Sequence, residues 1–169
     1  MEFLTLTDFS GQSYRAIPYR PQMSPAETEQ ADYLLADQED LPLPADLPWP
    51  DDRLIVPEGW QGVFPRAALW ISSAMSGGDL RQRFRELGND CRCWLRVEPM
   101  AARFPLPCPD GQGSPVSGLP ETEGFYSEAL CCRYVHKPGE VILFDTEETL
   151  ERKIALAKNA GFQGLLQFP

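Results

Sequence analysis

Apolar positions in the first third of the chain come in short bursts separated by prolines and carboxylates. Phe3, Leu4 and Leu6 predict a short strand closed by Gly11. Ser24-Pro25-Ala26-Glu27 reads as a capping box, with proline at the first helical position and Glu27 reaching back to Ser24. It predicts a short helix to about Asp37 that carries Ala31, Tyr33, Leu34 and Leu35. Residues 41–58 hold Pro42, Pro44, Pro48, Pro50 and Pro57, which remove backbone donors and favour extended geometry. This is a connector whose Leu41, Leu43, Leu47, Trp49, Leu54, Ile55 and Val56 can lie along a neighbouring surface.

Farther on, the runs lengthen and the pattern predicts two β-α-β units. Ala68 to Ser73 is an apolar strand ended by Gly77-Gly78, and Asp79 caps a helix carrying Leu80, Phe84 and Leu87, stopped by Gly88. Cys93 to Val97 is the next strand. Residues 104–124, rich in proline, glycine and serine, predict a long loop. Glu128–Val135 and Val141–Phe144 flank a turn and predict a hairpin. Asp145 or Thr146 caps a helix with Leu150, Ile154 and Ala157 on one stripe, Gly161 stops it, and Gln163 to Phe168 closes the chain as a strand. The expected fold class is α/β (or α+β): one mixed sheet of two β-α-β units plus a hairpin, with Trp70, Ile71, Trp94, Leu95, Val97, Ile142, Leu143, Leu165 and Leu166 in its core. Residues 1–169 form a single domain, with 1–60 an acidic, proline-rich flank packed on a 61–169 core.

Charge changes the picture more than length does. The net charge is −10, and residues 1–60 carry twelve acids against three arginines while the remainder is almost balanced. So segregated a charge points to an interaction surface and argues against direct nucleic-acid binding, which needs a basic footprint. No apolar run is long enough to span a membrane and the first residues lack a basic leader, so a bacterial cytoplasmic protein is expected, without membrane contact. Five cysteines, an odd number, read as reduced thiols.

Within residues 125–169, a hairpin precedes Phe144-Asp145, then Glu148, Leu150 and Lys153, Ala157-Lys158, Gly161 and Gly164-Leu165-Leu166. This pattern resembles the last β/α unit of chitinase-like glycoside hydrolases. The resemblance implies a barrel-closing segment. The DxxDxDxE motif that carries the family's catalytic acid is absent, so no catalytic residue carries over.

Ser76, in Ala74-Met75-Ser76-Gly77-Gly78, sits where a strand-to-helix turn could present a nucleophile, and Asp110 and His136 follow in hydrolase order. Against a triad stand the alanine in place of the first glycine and the lack of an oxyanion loop. A turn serine is the expectation. The cysteines with His136 have the wrong spacing for a zinc knuckle, so neither metal nor cofactor is expected. Asp145, Glu147 and Glu148 read as first-turn carboxylates that complement the helix dipole. Arg81 and Arg85, within the basic stretch from Arg81 to Arg103, and the connector tryptophans Trp49 and Trp60 are the candidate partner contacts. The reading is a non-enzymatic module that binds a partner, expected to be a protein, with the acidic third docked on the arginine stretch. The alternatives are a truncated glycoside-hydrolase-like or esterase-like enzyme and an acidic nucleic-acid mimic or inhibitor.

Overall fold

The computed structural model describes residues 3–44, 47, 49–75, 80–90 and 92–167. Its strands are β1 (Leu4–Asp8), β2 (Ser13–Pro18), β3 (Tyr33–Leu35), β4 (Leu54–Pro57), β5 (Ala68–Ser72), β6 (Cys93–Arg96), β7 (Ala101–Pro105), β8 (Ser114–Pro115), β9 (Phe125–Ser127), β10 (Cys132–Lys137), β11 (Glu140–Phe144) and β12 (Gly164–Gln167). The helices are α1 (Pro25–Thr28), α2 (Leu80–Asp90) and α3 (Glu147–Asn159). Among the described residues, seven strands close a barrel in the order β1-β12-β6-β5-β4-β3-β2, and a five-stranded sheet runs β8-β7-β11-β10-β9. None of the described helices is long and apolar enough to cross a membrane.

The expected sheet of two β-α-β units is therefore wrong. β5-α2-β6 is a parallel crossover within the barrel. The second unit does not exist, because β11 pairs antiparallel with β7 and β10 while β12 pairs with β6 and β1. Ile142 and Leu143 thus leave the expected common core for the second sheet. The acidic flank is not packed on a sheet either: its residues supply four of the seven barrel strands. The helix foreseen to Asp37 ends at Thr28, since Tyr33 and Leu35 alternate with Leu34 across a strand.

Alternation divides the barrel wall into two cores. Leu4, Leu6, Ala16, Leu35, Ile55, Ala68, Trp94 and Leu166 cluster inside, joined by Tyr14, Tyr33 and Trp70. Their neighbours Ile17, Leu34, Leu54, Val56, Leu69, Ile71 and Leu95 face outward into a larger core with Phe84, Ala157 and Phe162. Where a parallel barrel would use helices as crossovers, this one covers β3 and β4 with the proline connector, whose Leu43 and Trp49 are buried in that outer core. Trp49 donates its indole N–H to the Arg53 carbonyl at 2.8 Å, which pairs that polar atom where the side chain packs on the wall.

Two glycines permit the closest approaches. Gly88, foreseen as a helix stop, lies within α2, where a Cβ would collide with the Ala160 carbonyl at the end of α3. At Gly164 a Cβ would collide with the backbone of Thr7 and Asp8, across the antiparallel β1–β12 pair that closes the barrel. Because neither collision partner is a side chain that could turn away, Gly164→Ala should lower unfolding free energy by about 1–3 kcal/mol, the usual scale of overpacking. Gly62, whose added Cβ would meet nothing within 4 Å, is the control. Chemical denaturation of the two variants should show the loss at Gly164 alone.

Candidate functional site

The barrel has two mouths, and both carry polar groups. At the C-terminal ends of the parallel strands, Arg96 pairs through Nε with Glu98 Oε1 at 2.6 Å and through Nη1 with Asp37 Oδ2 at 3.4 Å. Its guanidinium lies over the Trp70 ring, 5.1 Å from the centroid. Ser72 donates its hydroxyl to the other Glu98 oxygen at 2.6 Å, and Trp70 donates its N–H to the Ala36 carbonyl at 2.9 Å. Arg96, Glu98, Asp37 and Ser72 thus pair with one another at this mouth. Arg96–Asp37 also joins the acidic third to the arginine stretch, as does the Arg83–Glu58 pair.

The N-terminal mouth is different. The β1–β2 turn places Asp8 at its edge, with Gly11 at φ +94° reversing the chain and donating its N–H to the Asp8 carbonyl. Asp8 Oδ1 accepts from the Ser10 hydroxyl at 2.6 Å and from the Ser10 and Gln12 amides at 2.9 Å each. Among the described residues, its Oδ2 accepts only from the Tyr14 hydroxyl, at a long 3.3 Å. The Ser10 hydroxyl, then the Gln12 amide, hold this carboxyl below the usual aspartate range, while burial and then the Asp8 charge raise the Tyr14 phenol.

Tyr14, Tyr33 and Trp94 stand on β2, β3 and β6 with their rings turned into this mouth. Their centroids lie 5.8 to 6.1 Å apart and their planes cross at 65° to 77°, so they meet as the walls of a corner rather than as a stack. A cavity of about 240 Å³ opens on this corner, lined also by Asp8, Ser10 and Gln163. Trp94 is 1% exposed, and its Nε1 has no hydrogen-bond partner among the described residues. Leaving such a donor unpaired costs about 1–3 kcal/mol.

The sequence candidates are scattered. Ser76 lies outside the described residues. Asp110 is exposed in the β7–β8 loop and accepts from the Cys108 thiol and the Gln112 amide. His136 is exposed on β10 opposite Val141, and no hydrogen bond among the described residues joins it to Asp110. Arg81 pairs with Glu128, while Arg85 donates to the Arg81 carbonyl at 3.3 Å. Trp49 is buried beneath the Arg53 guanidinium and Trp60 rests half-buried on Phe64, so the first seals the barrel wall.

No group of three or more His, Cys, Asp or Glu among the described residues is arranged to hold a metal ion. Cys132 is buried, and that burial pushes its thiol up to about 12. Thr146, not Asp145, caps α3, with Glu147 and Glu148 in its first turn. Asp145 turns inward to Lys153. The aromatic corner escaped the sequence reading because its residues stand 19 and 61 positions apart and meet only when the barrel closes. Its one local sign was Asp8-Phe9-Ser10-Gly11, the composition of an aspartate-started turn.

Comparison with known proteins returns no matching family model, curated protein or solved structure.

The depressed Asp8 carboxyl has a stability consequence with a definite sign. Its contribution is fully present above the unfolded aspartate value of about 3.9 and is lost as pH falls through the lower folded value. Asp8→Asn should therefore be less stable than the parent at pH 6, and the gap should narrow below about pH 4. Denaturant titrations at a series of pH values measure it.

Proposed function

We propose that the protein acts by binding, and that the N-terminal mouth of the barrel is the seat of a small ligand. The observation that carries this reading is the cavity of about 240 Å³ at this mouth, where Asp8, Ser10, Tyr14, Tyr33 and Gln163 bring polar groups and aromatic walls together. The surroundings support binding rather than turnover. Asp8 is held ionised by its donors, and the raised Tyr14 phenol keeps its proton at neutral pH, so neither group is poised to exchange a proton there. Pockets of this kind combine aromatic walls with a few placed polar groups.

The test uses nuclear magnetic resonance on the full chain, with a library of small polar compounds. Ligands of this seat should shift the Trp94 Nε1–H resonance and raise the melting temperature. Tyr14→Ala, which removes one aromatic wall of the cavity, should weaken them about tenfold, the equivalent of roughly 1.4 kcal/mol. If no compound moves that resonance, or if those that bind are indifferent to Tyr14→Ala, the reading is wrong.

A further inference from the structure

We propose a second binding site on the outside of the barrel: a slot for a small aromatic carboxylate, set between the wall at β2 and β3 and the segments that cover it. The slot shares no lining residue with the cavity at the N-terminal mouth, so its test is independent of that reading.

The slot follows from how this barrel is covered. β2 to β3 and β3 to β4 are parallel connections, of the kind that usually carries a full helix across the sheet. Here the first carries only the four-residue α1, and the second carries the proline connector. So thin a cover leaves a cavity of about 190 Å³, with Tyr19, Leu34 and Trp49 as its floor. It opens to solvent, because Pro21, Pro25 and Pro44 at its rim are all exposed. Each proline ring fixes its own backbone angle, which limits how far the rim can fold inward.

The walls call for an apolar, rigid occupant. The Thr28 hydroxyl donates to the Pro25 carbonyl at 2.7 Å and the Trp49 N–H donates to the Arg53 carbonyl, so neither needs a polar partner in the slot. The floor is held in place by the Arg53 guanidinium, 4.5 Å from the centroid of the Trp49 ring, and by the Tyr19 amide, which donates to the Leu35 carbonyl at 2.8 Å. Apolar walls facing a gap lack dispersion contacts that an occupant restores, and apolar cavities of about 150 Å³ bind benzene. A planar ring matches flat walls and has little rotational freedom to lose on binding. Met23, half-buried at the side, has the flexible thioether that adapts to such a guest.

Arg20 sets the charge of the guest. It is the one charged residue among those that line the slot. Its Nη2 donates to Glu27 Oε1 at 3.2 Å, and among the described residues no other hydrogen bond engages its guanidinium. Glu27 is itself tied through Oε2 to the Ser24 amide and hydroxyl, so it stays at the capping box and leaves Arg20 with donors for a second carboxylate. Arg20, Pro21 and Met23 also line a wider cleft of about 550 Å³, through which the ring can enter while its carboxylate stays at Arg20.

Phenylacetate, phenylacetamide and acetate separate ring from charge. In the full chain labelled at methionine and leucine methyl groups, phenylacetate should shift the Met23, Leu34 and Leu47 resonances. It should bind about fivefold tighter than phenylacetamide, the upper end for an exposed charge pair. Acetate, which has no ring, should leave Leu34 unmoved. Arg20→Gln changes an exposed side chain, so the fold should persist, and it should erase the difference between phenylacetate and phenylacetamide. If neither ring compound moves Leu34, or if acetate moves it as far as phenylacetate does, the slot is not a binding site. Equal affinity for phenylacetate and its amide in the parent, or a preference that survives Arg20→Gln, overturns the assignment of a carboxylate.

Discussion

Lys153 and Asp145 form an ion pair of 2.7 Å with both side chains fully buried, and the two parts of the molecule meet at it. Lys153 has three protons to donate, and the structure supplies three acceptors: Asp145 Oδ2 and the carbonyls of Ser73 and Met75, each of these two at 3.0 Å. Asp145 accepts in addition from the Met100 amide at 3.0 Å and the Thr149 hydroxyl at 2.8 Å. Four segments are joined: the end of β5, the chain as it leaves the barrel toward β7, the chain as it returns from β11, and α3. Removing one partner of such a pair strands a charge in a low-dielectric interior, which is why the arrangement is needed as a whole. The Asp145 amide also donates to the Met100 carbonyl at 2.8 Å, so exit and return of the second sheet are tied side by side.

With the second sheet held there, the barrel closes from what remains. Six of its strands run parallel, and β1, antiparallel to both neighbours, fills the gap between β2 and β12. That closing strand matters for the candidate site. It ends at Asp8, so the device that completes the barrel also brings a carboxylate to the aromatic corner. The close β1–β12 contact that Gly164 permits sets Asp8 beside the mouth rather than away from it.

Much of the local structure was legible in the sequence. The Ser24 capping box is present with both of its hydrogen bonds, Gly161 reverses the chain after α3 at φ +96°, and the Pro138-Gly139 hairpin lies between β10 and β11. Each is set by a few adjacent residues. The barrel was not legible, because β3 and β4 are only three and four residues long and lie among prolines, too short to show a period. The α3 stripe misled in an instructive way. Leu150 and Ile154 are half-buried, whereas Thr149, Lys153 and Ala157 line the fully buried face. A lysine at a core position reads as surface until its partner is known, and Asp145 read as a cap for the same reason. The aromatic corner depends on barrel closure and could not be seen before it.

The central claim is that the Lys153–Asp145 joint, not α3 packing alone, couples the barrel to the second sheet. Hydrogen exchange resolved by residue in Lys153→Met measures this most directly, since methionine preserves most of the apolar bulk and leaves Asp145 buried without its cation. The account predicts a global stability loss of about 3–5 kcal/mol. It also predicts that amide protection falls together at the end of β5, at Asp145 and along β7 and β11. Loss of protection confined to α3, with the second sheet and the β5 end protected as in the parent, would contradict it.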